Sequence, residues 1–432
     1  MNINTSTTPS GIWQSRLQQS HTAQNTRLVL TPSTLRTFRV SGAPVVHRQG
    51  DSCHFKNICV QNSNVLFYLQ TIGNNISLDV HKRFIHLEPG NVLPIHPFYS
   101  WRDSSKPSTE TLQLQVLKTP IPSTAVWGES SVTAFAHSAW WHNIGHFIMD
   151  GMYPLFNLMR NFNMICRDLQ IVSFPGPGEC FDFATGDNSS DPLTKIAMGS
   201  FGSLTEARST CLEKISELTC FKNVLVGTLF QGMNSQSGES RALSRHFLEF
   251  RDFIVSSQSI GLPVRTTLEE YQSRGQKIVR LTWLSKTNIR KVFNTDLLIQ
   301  DIIRDQARSG ITVECKVIVW EEVGTFQERV RIMDQTDILI SFYGTAASFS
   351  MFLRSGSVFI LIGGTSLGNE FDPIFSQYTH IKLVVYEPEN CTDVFPPRNE
   401  RTATWPDSGL VLSSEDFLPF TRTAFSRMLL SP

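Results

Sequence analysis

Two periodicities in the distribution of apolar residues predict a chain that contains both strands and helices. From Cys53 onward, short apolar runs such as residues 65–69 and 84–87 are separated by Gly, Asn and Pro, a pattern typical of strands. Farther along, apolar side chains recur at helical spacing and predict one helix with a single apolar face: Ile148, Met152, Leu155, Met159 and Phe162. This helix is expected to pack against a core.

The carboxy-terminal half has a more regular pattern. Apolar runs predict strands at residues 278–283, 313–320, 338–342, 358–362 and 381–386, and helices are predicted between them at 295–309, 326–335 and 346–353. Alternation of this kind implies a parallel sheet joined by right-handed crossovers. The predicted class of this half is therefore α/β and Rossmann-like. An amphipathic stretch at residues 417–430 predicts one further helix near the end of the chain.

Two segments lack such a pattern. Residues 173–205 are rich in Gly, Pro, Ser and Asp, which predicts a long surface loop. Residues 1–50 contain Ser, Thr and Arg but no acidic residue, and they predict a disordered or targeting tail.

Composition narrows the classes of function. Lys and Arg together number 38 and so do Asp and Glu, so we expect no broad nucleic-acid interface. No apolar run approaches the ~20 residues that a membrane-spanning helix requires. The eight cysteines form no C-x-x-C pair, so a structural zinc site is not expected, whereas disulfides remain open. Neither G-x-G-x-x-G, a Walker sequence nor D-x-D occurs, which argues against nicotinamide, P-loop and metal-diphosphate sites.

Two places in the predicted parallel sheet are candidates for anion binding. The strand 338–342 is followed by Tyr343, Gly344 and Thr345, where small residues would let a phosphate approach the start of a helix, or would simply form a tight turn. The loop after the strand 278–283 carries Lys286, Arg290 and Lys291. These cations would neutralise a diphosphate, or form a solvated basic loop.

The segment 140–150 concentrates polar chemistry in the amino-terminal half. His146 and Asp150 are four residues apart and therefore neighbours on one helix face. A carboxylate that orients an imidazole makes it a general base for a hydroxyl, although a structural hydrogen-bond pair would have the same spacing. Pro154 clashes with the carbonyl group of Asp150 in a regular helix, so an irregular helix is expected there.

Four separated segments together resemble the family 61 glycosyltransferases. They are residues 53–59, residues 143–150 with 153–156, the stretch from Arg280 through Arg290 to Asn294, and residues 337–344 with Gly356 and Ser357. The segments occur in the order that the family has, over roughly residues 51–390. The resemblance implies a GT-B-like α/β fold, in which two Rossmann-like domains face each other across a cleft. The expected parts are a tail (1–50), an acceptor-side domain (51–272), a nucleotide-sugar domain (273–399) and a last segment (400–432) that packs back on the amino-terminal domain.

The resemblance also implies inverting transfer of a pentosyl or N-acetylglucosaminyl group from a UDP-sugar to a hydroxyl of a glycan or glycoprotein. Neither a metal nor another cofactor is expected. His146 and Asp150 are the catalytic candidates, with Asn143 on the acceptor side. The residues expected at the nucleotide sugar are Arg280, Arg290, Asn294, Tyr343, Gly344 and Thr345.

Two positions depart from the family pattern and keep an alternative open. Tyr343 stands where the family usually has His, and Leu361 stands where it usually has Glu. A catalytically inactive relative that binds a sugar or a protein partner is therefore the second expectation. The family resides in the lumen of the Golgi or endoplasmic reticulum. Since the sequence shows no signal anchor, either its amino terminus is incomplete or the protein is cytoplasmic.

Overall fold

The computed structural model describes residues 34–38, 52–68, 76–80, 83–87, 92–95, 112–117, 119–136, 144–165, 168–173, 208–226, 246–257, 267–273, 278–287, 291–363, 375–376, 378–388, 391–393 and 410–429. Nearly all of the loop predicted at 173–205 lies outside these residues. The same is true of the predicted tail, apart from residues 34–38.

In the described part of the chain, the strands form two larger sheets and two two-stranded sheets, β4 with β5 and β18 with β19. In chain order the strands are β1 (Thr34–Phe38), β2 (Ser52–Gln61), β3 (Asn64–Tyr68), β4 (Ile76–Val80), β5 (Arg83–Leu87), β6 (Val92–Ile95), β7 (Leu112–Leu117), β8 (Val126–Trp127), β9 (Val132–Ala136), β10 (Leu169–Ser173), β11 (Arg208–Cys211), β12 (Thr219–Val226), β13 (Ile278–Ser285), β14 (Thr312–Val319), β15 (Ile338–Phe342), β16 (Val358–Ile362), β17 (Lys382–Tyr386), β18 (Cys391–Asp393) and β19 (Leu410–Leu412).

Helices connect and cover the sheets. The longer α-helices are α1 (Tyr153–Asn161), α2 (Phe247–Ser257), α3 (Thr267–Ser273), α4 (Thr295–Ala307), α5 (Phe326–Asp334) and α6 (Ser414–Leu429). Short helical pieces are a single α turn (Ile144–His146), a π-helix (Phe147–Met152) and three 3₁₀ helices (Leu212–Lys214, Trp320–Glu322 and Ala347–Phe352). Among the residues just delimited, no helix is both long and apolar enough to cross a membrane.

The ten-stranded sheet is mixed. Its main path runs β11-β10-β9-β12-β2-β3-β7-β6, with β1 paired to β2 and β8 to β12. The strands β11, β10, β9 and β12 are parallel neighbours, whereas β2 is antiparallel to β12, to β3 and to β1. Within the predicted tail, residues 34–38 form strand β1, which pairs with β2. The residues of β1 pair with residues of β2 that lie 14 to 22 positions farther along the chain, so no pattern within the tail itself predicts the pairing.

The five-stranded sheet is entirely parallel, with the order β14-β13-β15-β16-β17. It confirms the α/β class. The sequence prediction gave the bounds of β15 and β16 to the residue, because both are short apolar runs that end at turn residues, and every residue of both strands is buried. The helix predicted at 346–353 is instead the 3₁₀ helix Ala347–Phe352, whose side chains are all buried.

Helix α6 covers one face of this sheet. It packs on β16, β17 and α4, and the rings of Trp283 and Phe417 are 5.7 Å apart. The expected position of residues 400–432 is against the amino-terminal domain. In the structure the main contacts of α6 are with the parallel sheet, because its apolar face (Phe417, Ala424 and Phe425 among others) completes the core of that sheet.

A buried ion cluster ties α2 to the amino-terminal ends of β15 and β16. Asp334, the last residue of α5, accepts hydrogen bonds from Arg251 of α2 and from Arg354, and the three side chains are at most 3% exposed. His380 lies in the same region, where its Nε2 donates to the carbonyl oxygen of Met351 at 3.0 Å. Burial, with a further contribution from the charge of Arg251, lowers the pKa of His380 to about 3. The imidazole is therefore neutral near pH 7.

Candidate functional site

The strand order identifies a topological switch point between β13 and β15. The chain leaves the carboxyl end of β13 toward β14 on one side, and it leaves the carboxyl end of β15 toward β16 on the other. Ligands of open α/β sheets bind in the crevice that such diverging connections create. Both anion-binding candidates from the sequence fall at this point: the basic loop follows β13 and the Gly344 turn follows β15. The topology therefore brings together two segments that lie some 55 residues apart in sequence.

The basic loop is described on both sides of residues 288–290. Lys286 and Lys291 are partly exposed. The ammonium group of Lys291 lies 5.7 Å from the ring centre of Phe293, which is 39% exposed. This pairing keeps a cation beside an exposed aromatic ring in the loop that follows β13. Sequence analysis named the lysines but missed Phe293, whose exposure depends on the chain that packs beneath it.

That underlying chain is β19. The backbone N–H of Phe293 donates to the carbonyl oxygen of Leu410, and Leu410 N–H donates to the carbonyl oxygen of Lys291, at 2.8 Å in both cases. Val292 and Leu410 also form a parallel bridge, and both are buried. The end of the basic loop is thus held in an extended conformation, which fixes where Lys291 and Phe293 leave the backbone.

The turn after β15 behaves differently at its three positions. Tyr343 is fully buried, and its N–H donates to the carbonyl oxygen of Ile362 at 3.2 Å, so its ring belongs to the core. Gly344 has a φ of 126°, a backbone conformation that residues other than glycine rarely adopt. Gly344 and Thr345 are both partly exposed. Gly344 and Thr345 therefore reach solvent at the crevice, whereas Tyr343 supports them from below.

Arg280 does not join this site. It lies near the amino-terminal end of β13, level with Asp337, which immediately precedes β15. Its backbone N–H and its guanidinium group both donate to the fully buried carboxylate of Asp337, at 2.8 and 3.0 Å. Tyr343 lies six residues beyond Asp337, about 20 Å away at the rise of a strand. The structure therefore places Arg280 at the opposite end of the sheet from the basic loop and the Gly344 turn.

Asn294 is also engaged elsewhere. Its side-chain Nδ2 donates to the carbonyl oxygen of Leu412 at 2.7 Å, and its Oδ1 accepts from the N–H of Leu412 at 3.0 Å. The side-chain amide thereby forms the two hydrogen bonds that a neighbouring strand would form with Leu412, and it holds β19 at the start of α4. Both polar atoms of the side-chain amide are thus engaged by the backbone of Leu412. Because the side chain points to Leu412, it does not cap α4.

The catalytic candidates lie on the helical segment that follows β9. This segment starts after the carboxyl end of β9 and leads to the parallel strand β10, which is the arrangement of a β-α-β unit. The main chain of His146 ends the α turn, and Asp150 lies within the π-helix. The irregularity expected at Pro154 is present as this π-helix, since proline supplies no N–H for a regular bond to residue 150. The side chains of His146 and Asp150, and residues Asn143 and Arg290 as a whole, lie outside the described residues.

The segment that carries His146 and Asp150 packs against the hydrophobic core. Of the predicted apolar stripe, Ile148, Met152, Leu155 and Met159 are buried, and Phe162 packs against the same core. Tyr153 stacks on Phe247 of α2 with ring centres 3.9 Å apart. One hydrophobic cluster continues from these residues into the core of the parallel sheet.

The described residues contain no group of three His, Cys, Asp or Glu side chains with the geometry of a metal site. Of the cations in the basic loop, the structure describes Lys286 and Lys291, and both are partly exposed. An anion there would be held by ammonium groups and backbone N–H groups.

No family model matches the chain, and no curated protein matches it.

Proposed function

We propose that the chain is an inverting glycosyltransferase related to family 61, which moves a pentosyl or N-acetylglucosaminyl group from a UDP-sugar to a hydroxyl of a glycan or glycoprotein. The observation that carries the proposal is the switch point between β13 and β15, which joins the basic loop to the Gly344 turn. A diphosphate needs several cationic or N–H donors that converge on one surface. In the proposal these two loops supply such donors, at the place where open α/β sheets bind ligands.

In this proposal the nucleotide diphosphate binds at the basic loop, with Arg290, Lys286 and Lys291 offsetting its charge. Gly344 and Thr345 would line the opposite side of the crevice, and Phe293 would offer its exposed ring beside Lys291. Neutralisation of the leaving diphosphate by fixed cations replaces the role that a divalent metal has in enzymes with a D-x-D sequence. The reaction is accordingly proposed to be metal-independent.

The acceptor hydroxyl is proposed to lose its proton to His146 while its oxygen attacks the anomeric carbon. The bond from that carbon to the diphosphate oxygen breaks on the opposite face, UDP leaves, and the configuration inverts. Asp150 would orient the imidazole and stabilise its cation, and Asn143 would contact the acceptor. Support comes from the position of this segment after the carboxyl end of β9 and from the π-helix, a distortion that is frequent at functional sites.

The finer architecture is part of the same proposal. We propose a GT-B arrangement in which residues 51–272 form the acceptor-side domain and residues 273–399 the nucleotide-sugar domain. We also propose residence in the lumen of the Golgi or endoplasmic reticulum. A disulfide between Cys59 of β2 and Cys220 of β12 supports that location, because such bonds persist in oxidising compartments.

A turnover assay tests the proposal. Purified protein is incubated with UDP-xylose, UDP-arabinose or UDP-N-acetylglucosamine and a glycan acceptor, with EDTA or with manganese, and released UDP is measured. Activity is expected to survive EDTA. His146→Ala should lower the rate by about 10²- to 10⁴-fold, the typical contribution of a general base. Arg304→Ala, an exposed substitution on α4, serves as the control and should leave the rate unchanged.

A second function is favoured by Tyr343 and Leu361. Both side chains are fully buried, so neither position presents an imidazole or a carboxylate to the crevice, where the family usually has His and Glu. An inactive relative would keep the cleft and bind a sugar or a protein partner. In that case UDP would bind with no turnover of any of the three donors, and His146→Ala would leave its affinity unchanged.

A further inference from the structure

Strand β14 forms one end of the parallel sheet and is well suited to pair with another strand. Among the residues that the structure describes, its only partner strand is β13. It is eight residues long, and Val317 is 44% exposed on it. Glu314 and Lys316 are exposed as well, and Cys315 between them is a partly exposed free thiol. An end strand of this length presents a row of backbone N–H and C=O groups that another chain can pair with.

The partner strand considered is β14 of a second copy of the chain. Its suitability can be judged from the side chains that would face each other in each alignment of the two strands. Two identical strands related by a two-fold axis pair antiparallel, so a residue i lies opposite a residue j and j opposite i. Backbone groups of alternate residues point to the same edge of a strand, so only residues of equal parity can face each other. The axis must therefore pass through a residue and never between two residues.

This condition leaves few registers for residues 312–319. An axis at Lys316 would place the two Lys316 side chains opposite each other, and an axis at Glu314 would do the same with the two glutamates. An axis at Cys315 instead sets Glu314 opposite Lys316 of the second copy, twice over. It also sets Val313 opposite Val317 and pairs seven residues of each strand, from 312 to 318. Opposite charges and β-branched residues are the favourable cross-strand pairs.

We propose that β14 is a self-association surface, on which two copies of the chain pair antiparallel about Cys315. The five-stranded sheets then join into one sheet of ten strands across the two-fold axis. Val317, which is 44% exposed, comes to lie beside Val313 of the second copy, a residue already buried in its own core, and loses contact with water. Because the two parallel sheets run in opposite directions, their carboxyl edges open on opposite sides of the dimer. Each crevice remains accessible, and this association is independent of the proposed enzymatic activity.

Charge reversal tests the register, with sedimentation velocity of the full chain as the readout. Wild type should show a concentration-dependent species of twice the 48.7 kDa chain mass. Lys316→Glu creates two Glu–Glu pairs and Glu314→Lys creates two Lys–Lys pairs, so each variant should dissociate at about tenfold higher concentration or more. The double variant Glu314→Lys/Lys316→Glu restores both opposite-charge pairs and should dimerise like wild type. An equimolar mixture of the two single variants should form a heterodimer.

A cross-link provides a second measurement. An equimolar mixture of Glu314→Cys and Lys316→Cys, two exposed positions that face each other in this register, should form a disulfide-linked dimer, whereas Glu314→Cys alone should not. A protein that sediments as a monomer at every concentration over a 100-fold range would overturn the proposal. So would a dimer that the charge reversals leave unchanged, or one in which the mixed cysteine variants form no disulfide. Thermal melts of the variants distinguish loss of association from loss of folding.

Discussion

Replacement of Asp334 by Asn should destabilise the protein strongly, because the carboxylate is the shared partner of two buried arginines. Arg251 and Arg354 both donate to it, and all three side chains are at most 3% exposed. The amide of Asn keeps the volume but removes the charge. Breaking a buried ion pair costs about 3–5 kcal/mol, since the remaining charge stays out of water. This loss corresponds to a hundred- to several-thousand-fold change in the ratio of folded to unfolded protein.

Urea unfolding followed by tryptophan fluorescence measures this loss, because Trp283 and Trp320 are buried in the core around the parallel sheet. Arg304→Ala is the control: its ion pair with Asp301 is exposed on α4 and is worth only about 0.2–0.5 kcal/mol. The midpoint for Asp334→Asn should fall well below that of the control, with the same slope against urea. A loss below about 1 kcal/mol would refute the reasoning, since it would mean that the arginines recover hydration when the carboxylate is removed.

Three other predictions address pH, redox state and two arginines of the predicted site. The pKa of His380 is about 3 in the folded protein against an ordinary 6.5, so between these pH values the folded protein binds fewer protons than the unfolded chain. The free energy of unfolding should therefore fall by up to about 1.4 kcal/mol per pH unit as the pH drops below 6.5. His380→Gln should flatten this dependence in unfolding experiments from pH 7 to 4.5. Cys59→Ala/Cys220→Ala should lower the free energy of unfolding by about 2–5 kcal/mol, because the disulfide restricts an unfolded chain over 161 residues; an unchanged urea midpoint would contradict this. Arg290→Ala should weaken UDP binding in calorimetry, whereas Arg280→Ala should leave it intact and lower stability; the reverse result would return Arg280 to the site.

Local pattern was sufficient to predict most of the parallel sheet. The strands β15 and β16 are short apolar runs that end at turn residues, and α4 and α5 have apolar faces at helical spacing. Each of these signals lies within the element itself. Strand β1 has no such signal, because its pairing with β2 depends on a partner farther along the chain. The disulfide between Cys59 and Cys220 was left open for the same reason.

The candidate site was predictable in its loops but not in its individual side chains. Sequence analysis selected the two segments that meet at the switch point, because both follow a predicted strand. It could not tell that Arg280 is bound to Asp337, 57 residues away, or that Asn294 is bound to Leu412, 118 residues away. A polar side chain looks equally available for a ligand or for a distant backbone group until the fold is known. The burial of Tyr343 is a long-range effect of the same kind.

Photoaffinity labelling with a UDP analogue that carries an aryl azide on its terminal phosphate tests the central claim most directly, because the claim is that a nucleotide diphosphate binds between the loops after β13 and β15. The labelled protein is digested and the modified residues are identified by mass spectrometry. Saturable labelling, displaced by UDP, is expected within residues 286–294 or 343–345. Labelling confined to peptides outside these loops, or an absence of saturable labelling, would contradict the account.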